Sequence, residues 1–244
     1  KKLAAGADAI VFDVKVGSGA FMKNVDQARR LALLMLDIVK RNGRKARAVL
    51  SNMDQPLGRM VGNSLEVIEA VECLRGEGPE DVMQLSFTLV KEMLDLAGVR
   101  VNLNDIESMV RSHEPLNRFK KFIERQGGDP SVVDDPSRLP ISRDIVEVRA
   151  DRDGYVARLD AEAIGRACVL LGGGRSKKED SIDHSVGIEL LKKVSDHVKA
   201  GDVLAKVYHS KRSDLNSALS LVQSAYVIFE HPVESPPTVL EVIG

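Results

Sequence analysis

The sequence contains no tryptophan, and its aromatic residues are six phenylalanines and three tyrosines among 244 residues. So few rings leave little surface on which nucleic-acid bases could stack. The 35 basic and 36 acidic residues nearly cancel, and a net charge of −1 gives no broad positive surface for a phosphate backbone. We therefore expect no nucleic acid among the partners of this protein.

Long apolar runs and cysteine frameworks are missing as well. The longest apolar run, 31–36, is far short of the ~20 residues that a membrane-spanning helix needs. Cys73 and Cys168 are too few for a disulfide framework, and neither stands in a CxxC motif or a Cys/His cluster. We expect two buried thiols in a reducing compartment, which predicts a cytoplasmic protein without a membrane partner.

The chain does contain enough hydrophobic residues, 43%, for one large or two modest cores. Ala9–Val16 has the apolar and β-branched pattern of a strand and runs into a glycine turn. A helix face over 28–39, with Asn24 as N-cap, and a second strand at Arg47–Ser51 follow. This order predicts a βαβ unit whose strands point their carboxyl ends at a ligand crevice.

The middle of the sequence predicts three further helices. The first covers 64–74 and begins at a capping box formed by Asn63 and Glu66. The second begins at Pro79, since proline is favoured at the first helical position. The third covers 105–125.

The second half changes from βαβ to α+β patterning. Strand patterns at 145–150 and 155–159 flank Asp153–Gly154, which predicts a hairpin, and a short helix over 163–171 follows. Residues 194–205 resemble the turn-and-strand pattern of biotinyl and lipoyl carrier domains. The modifiable lysine of those domains has no counterpart here, since no Met-Lys or Asp-Lys pair occurs in this stretch.

Together these patterns predict an α/β fold: a βαβ-containing sheet flanked by helices, followed by a smaller α+β domain. The resemblance of residues 194–205 to carrier domains implies that this smaller domain is of barrel-sandwich or hammerhead-like type. The segment before the first strand looks like the last turn of a helix, so we expect a further segment upstream. The predicted parts are the last turn of a preceding helix (1–6), a central α/β domain (7–128), a linker (129–142) and a C-terminal α+β domain (143–244).

Several motifs in a fixed order resemble the family of thymidine phosphorylases and pyrimidine-nucleoside phosphorylases. The resemblance covers essentially all 244 residues. The motifs that carry it are Asp13–Met22, Asp54–Gly58, Gly62–Val67, Gly76–Pro79, Gly127–Pro130 and Gly172–Arg175.

The resemblance implies an enzyme that binds a pyrimidine nucleoside and inorganic phosphate between a helical N-terminal domain and an α/β domain. This chain is similar to about the C-terminal three-fifths of such an enzyme, so the N-terminal helical part would be missing. The family's phosphate loop would also lie upstream, and we expect no catalytic residue within these 244 residues. The parent protein is expected to be a homodimer.

One substrate-binding residue follows from the resemblance. In the family, the first lysine of a Ser-Lys-Lys run contacts the pyrimidine, and this position corresponds to Lys1. An ammonium group carries three donors and a full charge, which suits the base oxygens. Judged without the resemblance, Lys1 would be interpreted as a solvated lysine.

A potassium ion is the second implied ligand. The matching groups are the backbone carbonyls of Leu57 and Met60 and the carboxylate of Glu69, oxygen ligands of the kind that hard cations prefer. The remaining ligands would lie upstream. The alternative for Glu69 is an ordinary carboxylate on a helix surface. No organic cofactor is expected, and inorganic phosphate is the co-substrate.

Two interpretations of function remain at this point. In the first, the chain is part of an enzyme for reversible phosphorolysis of pyrimidine nucleosides, inactive without its upstream part. In the second, it is a non-catalytic binding or structural module with a carrier-like C-terminal domain. The loop Gly17–Gly19 is interpreted as a tight strand-to-helix turn rather than a direct phosphate contact, because it matches neither GxxxxGK[ST] nor GxGxxG.

Overall fold

The computed structural model describes residues 2–175 and 177–244. Within them the helices are α1 (Val25–Arg41), α2 (Asn63–Arg75), α3 (Glu80–Leu96), α4 (Leu103–Arg111), α5 (Glu114–Arg125), α6 (Ala161–Leu171) and α7 (Leu215–Ala225). The strands are β1 (Ala9–Val16), β2 (Lys45–Asn52), β3 (Met60–Val61), β4 (Asp144–Arg149), β5 (Gly154–Leu159), β6 (Gly187–Leu190), β7 (His197–Val198), β8 (Val203–His209), β9 (Tyr226–Phe229) and β10 (Val239–Ile243). None of the helices in this part of the chain is long and apolar enough to span a membrane.

The predicted βαβ unit forms the first sheet. β1 and β2 pair in parallel from Ala9 opposite Lys45 to Val16 opposite Asn52, and α1 connects them. The Asn24 side chain accepts a hydrogen bond from the N–H of Gln27 at 3.0 Å, so the predicted N-cap is confirmed. The buried face of α1 packs against the sheet in a cluster of Val14, Val16, Ala28, Ala32, Ala48 and Leu50.

The predicted start of α2 is one residue too late. Gly62 is the N-cap, and Asn63 is already helical and donates from its side chain to the Gly173 carbonyl at 2.9 Å. Glu66 does reach back, but to the N–H of Gly62 at 3.0 Å. The capping box fails because the Asn63 amide is used in a contact between the two halves of the chain, which local spacing does not reveal.

The single helix predicted for 105–125 is wrong, since α4 and α5 are separate. His113 lies between them with a left-handed φ of 59°, and Pro115 has no N–H to continue the helical bonding. The actual capping box at the start of α4 joins Asn102 and Asp105.

The predicted hairpin around Asp153–Gly154 is also wrong. β4 pairs with β8, whereas β5 pairs with β7 and β9 in a different sheet. Val148 of β4 and Val156 of β5 are nevertheless buried in one cluster, because the two sheets face each other across a shared core. The short turn thus carries the chain from one sheet to the other, the arrangement expected of a small sandwich.

The two halves of the chain exchange strands. β3 pairs with β6 in a sheet of the second half, and β10 runs antiparallel to β2 in the first sheet. The predicted C-terminal range 143–244 includes β10, whereas its hydrogen bonds place it on the first sheet. In the predicted linker 129–142, Val133 is fully buried against α2 and α5. The segment 129–142 therefore packs closely on the first half.

Candidate functional site

A cavity of about 730 Å³ lies where the carboxyl end of β1 meets α2, α3, α4 and α6. Most of its wall is apolar, and Lys15 reaches it from β1. The predicted residues Leu57, Met60 and Glu69 all line this cavity, so the fold brings them to one place. Lys1, the predicted base contact, lies outside the described residues.

Glu69 is a buried group rather than a surface carboxylate. Its residue is only 7% exposed, and one carboxylate oxygen, Oε1, accepts from the N–H groups of Arg59 at 2.7 Å and Met60 at 3.1 Å. Burial raises the pKa of the Glu69 carboxyl, and the two backbone bonds partly oppose that rise. Glu69 therefore anchors the segment that carries Met60.

The backbone of Met60 has a definite direction. Met60 stands opposite Glu189 in the β3–β6 pair, and the neighbouring bond runs from the Leu190 N–H to the Arg59 carbonyl at 2.7 Å. Hydrogen-bonded and non-hydrogen-bonded pairs alternate along an antiparallel pair of strands. The backbone N–H and carbonyl of Met60 therefore make no hydrogen bond to β6. The N–H and the carbonyl of Met60 lie on the same edge of the strand. Because the N–H donates to Glu69, the carbonyl also points toward the Glu69 side of β3.

Lys193, which sequence analysis did not single out, contacts the loop that precedes Met60. The Lys193 ammonium donates to the carbonyls of Pro56 and of Gly58, the latter at 2.6 Å, and pairs with Asp81 at 3.0 Å. Its side chain is 15% exposed. Burial lowers the pKa of Lys193, and the charge of Asp81 opposes that change. The carrier-like pattern begins directly after Lys193 and does not indicate these contacts, so only the tertiary structure reveals them.

The loop Gly17–Gly19 is a turn held by its own neighbours. Gly17 has a left-handed φ of 131°, and a Cβ there would lie 2.6 Å from the backbone nitrogen of Asp54. The N–H groups of Ser18 and Gly19 donate to the Asp54 carboxylate and the Met53 carbonyl, both at 2.9 Å. Because these donors are occupied, the structure favours the turn over a phosphate cradle.

Phe21 follows this turn and is 99% exposed. Lys15, at the end of β1, pairs with Asp13 at 2.7 Å and donates to the Ser51 hydroxyl at 3.1 Å. The carboxyl ends of β1 and β2 thus present polar groups beside the apolar cavity, as predicted for the crevice of a βαβ unit.

Among the described residues, the cysteines and acidic side chains are not clustered as ligands of a metal ion. In the described ranges, no three His, Cys, Asp or Glu side chains are grouped so that they could hold a metal ion. Cys73 and Cys168 are free thiols, and burial raises the pKa of each to about 11. Cys168 is buried as predicted, whereas Cys73 is only partly buried and lies in the wall of the cavity.

Comparison with known proteins extends over the whole chain. Residues 1–112 match the sequence model described as "Glycosyl transferase family, a/b domain", and residues 155–229 match "Pyrimidine nucleoside phosphorylase C-terminal domain". A pyrimidine-nucleoside phosphorylase of Geobacillus stearothermophilus is 45% identical over 248 aligned residues, and one of Staphylococcus aureus (strain USA300) is 44% identical over 247. Both alignments cover 100% of this chain and 57% of the relative, so the chain spans a little more than half the length of these relatives. The chain belongs to the pyrimidine-nucleoside phosphorylase family.

Proposed function

We propose that this chain is part of a pyrimidine-nucleoside phosphorylase. Its reaction is the reversible phosphorolysis of a pyrimidine nucleoside or deoxynucleoside to free base and ribose or deoxyribose 1-phosphate. The observation that carries the proposal is the 45% identity to an enzyme of that name along the entire chain. The cavity at the carboxyl end of β1 supports it, because ligands of open α/β sheets bind at that edge.

The chemistry defines what the protein must do. Phosphate attacks the anomeric carbon while the pyrimidine leaves, so the transition state carries positive charge on the sugar and negative charge on the base. The enzyme lowers the barrier by holding both reactants in line and by placing donors where the base becomes negative. In this chain Lys1 is the proposed donor to the base, and the apolar cavity wall excludes water from the reacting groups.

A potassium ion held partly by Leu57, Met60 and Glu69 belongs to the same proposal. The convergence of the three residues on one cavity supports it, as does the direction of the Met60 backbone. The Glu69 carboxylate also lies directly beside the loop, since Oε1 accepts both backbone bonds and Oε2 packs against Gly58. When bound, a monovalent cation would balance the Glu69 charge and fix the adjoining loop.

Assembly and location are proposed as well. We infer a homodimeric parent from the family resemblance, and a cytoplasmic location from two unpaired thiols, which persist in reducing compartments. For the 244-residue chain by itself we expect little or no turnover.

Complementation tests the proposed activity. The chain is mixed with a separately produced N-terminal portion of the Geobacillus relative, and release of uracil or thymine from its nucleoside is followed with and without phosphate. We expect phosphate-dependent release in the mixture only, and a marked loss with Lys1→Ala. If the mixture assembles but releases no base, the non-catalytic module becomes the better interpretation.

A further inference from the structure

The loop 55–60 is held from both sides by charged groups. On one side, Glu69 accepts from the N–H groups of Arg59 and Met60. On the other, Asp81 accepts from the N–H of Gly58 at 3.1 Å. The loop is thus positioned by backbone bonds to charged side chains.

Lys193 completes this second side. A lysine ammonium has three donors, and here they are matched by the carbonyls of Pro56 and Gly58 and by the Asp81 carboxylate. Lysine is rarely buried unless it is paired in this way. Every donor of a largely buried charge is thus used to hold one short loop and the start of α3.

The contact is not needed to join the two halves of the chain. β3 already pairs with β6, and the Asn63 side chain already reaches Gly173. The N–H of Val194 also bonds to the Gln55 side chain at 3.1 Å. What Lys193 adds is control over the direction of two carbonyls, those immediately before and after Leu57.

We propose that Lys193 is a positioning residue that turns the Pro56 and Gly58 carbonyls away from the cavity and thereby presets the loop that presents Leu57 and Met60. This inference rests on the proposed function in one respect, since those two residues are the proposed potassium ligands. In this arrangement the Lys193 ammonium, from the second half of the chain, orders a cation site formed by residues of the first half. It touches neither the ion nor the substrate.

The test compares Lys193→Met with Lys192→Met in the 244-residue chain. Methionine keeps the length of the side chain without its charge, and Lys192 is a matched control because it donates to the His197 carbonyl instead of the loop. Loss of charge-assisted bonds should speed amide hydrogen exchange at residues 58–60 by about 10- to 100-fold, with β4 and β8 unchanged. The control should exchange like the unmodified chain.

A second variant and a second readout separate loop positioning from general destabilisation. Asp81→Asn keeps both carbonyl contacts of Lys193 and changes the acceptor of the Gly58 N–H, so exchange at residues 59 and 60 should rise less than in Lys193→Met. The thermal midpoint is also measured in potassium chloride and in choline chloride at equal ionic strength, on the chain mixed with the N-terminal portion of the Geobacillus relative, because the remaining ion ligands would lie upstream. We expect potassium to raise the midpoint of this mixture and to raise it less with Lys193→Met.

The outcomes distinguish the two proposals. If Lys193→Met exchanges at residues 58–60 as slowly as the control, or only in step with the whole chain, the positioning role is overturned. If potassium has no specific effect on the mixture with the N-terminal portion while the loop responds to Lys193→Met, the cation site fails and the positioning role stands.

Discussion

At the residue scale, Glu69 illustrates how burial changes what a common side chain does. A glutamate on a helix is usually solvated, yet Glu69 is turned inward and satisfies two backbone donors of the loop. The family resemblance located this residue. Its hydrogen bonds, however, depend on how the segment with Arg59 and Met60 packs against α2.

Replacing Glu69 by alanine should therefore destabilise the protein. Two partly buried N–H groups would lose their acceptor, and we expect the free energy of unfolding to fall by about 1–3 kcal/mol. Urea unfolding measures the change. Glu72→Ala, on the same helix, should stay within about 0.5 kcal/mol. Equal losses in both variants would contradict the anchoring role of Glu69.

The thiols give a prediction for pH. Burial raises the pKa of Cys73 and Cys168 to about 11, from an ordinary 9.0, so the folded state favours the protonated thiol. The associated stabilisation is present below pH 9 and is lost as the pH rises toward 11. At pH 8 a thiol reagent should label both cysteines much more slowly in the native protein than in urea. Fast native labelling at pH 8 would refute this.

At the scale of the element, some local signals were interpreted correctly and others were missed. Asn24 caps α1 as its pattern indicated, whereas the local capping box of Asn102 and Asp105 was not recognised. Local signals failed at Asn63 and at Asp153–Gly154, where the deciding contacts come from residues far away along the chain.

The break between α4 and α5 is the clearest element to test. His113 adopts a left-handed φ of 59°, which costs a residue with a side chain about 1–2 kcal/mol. His113→Gly should relieve this and, after the added flexibility of the unfolded chain, stabilise the protein by about 0.5–1 kcal/mol. Thermal unfolding reports the change. His113→Ala is the control and should bring no gain, so a gain from alanine would argue against backbone strain.

At the scale of the whole molecule, the two halves depend on each other. β10 comes from the end of the chain, covers the edge of β2 and brings Leu240 and Ile243 to the core of the first sheet. Its Glu241 also pairs with Arg29 on α1 at 2.9 Å. A change in β10 should therefore alter the stability of the first sheet.

Deleting residues 239–244 tests this dependence. Loss of two apolar side chains from the core removes about 3 kcal/mol or more, which corresponds to a fall in Tm of roughly 6–12 °C. The exposed edge of β2 should also promote association, visible by size-exclusion chromatography. Glu241→Gln, which removes only the ion pair, should change Tm little. A monomeric deletion variant with an unchanged Tm would show that β10 is dispensable.

The sequence by itself determined the βαβ unit, most helices and the family, because periodicity, caps and ordered motifs are local properties that need no partner. It also singled out Leu57, Met60 and Glu69, though only through the resemblance. The tertiary structure alone decided the exchange of β3 and β10 between the halves, the burial of Glu69 and the contacts of Lys193. These depend on which distant backbone groups need a partner once the core has closed, and no local pattern encodes that.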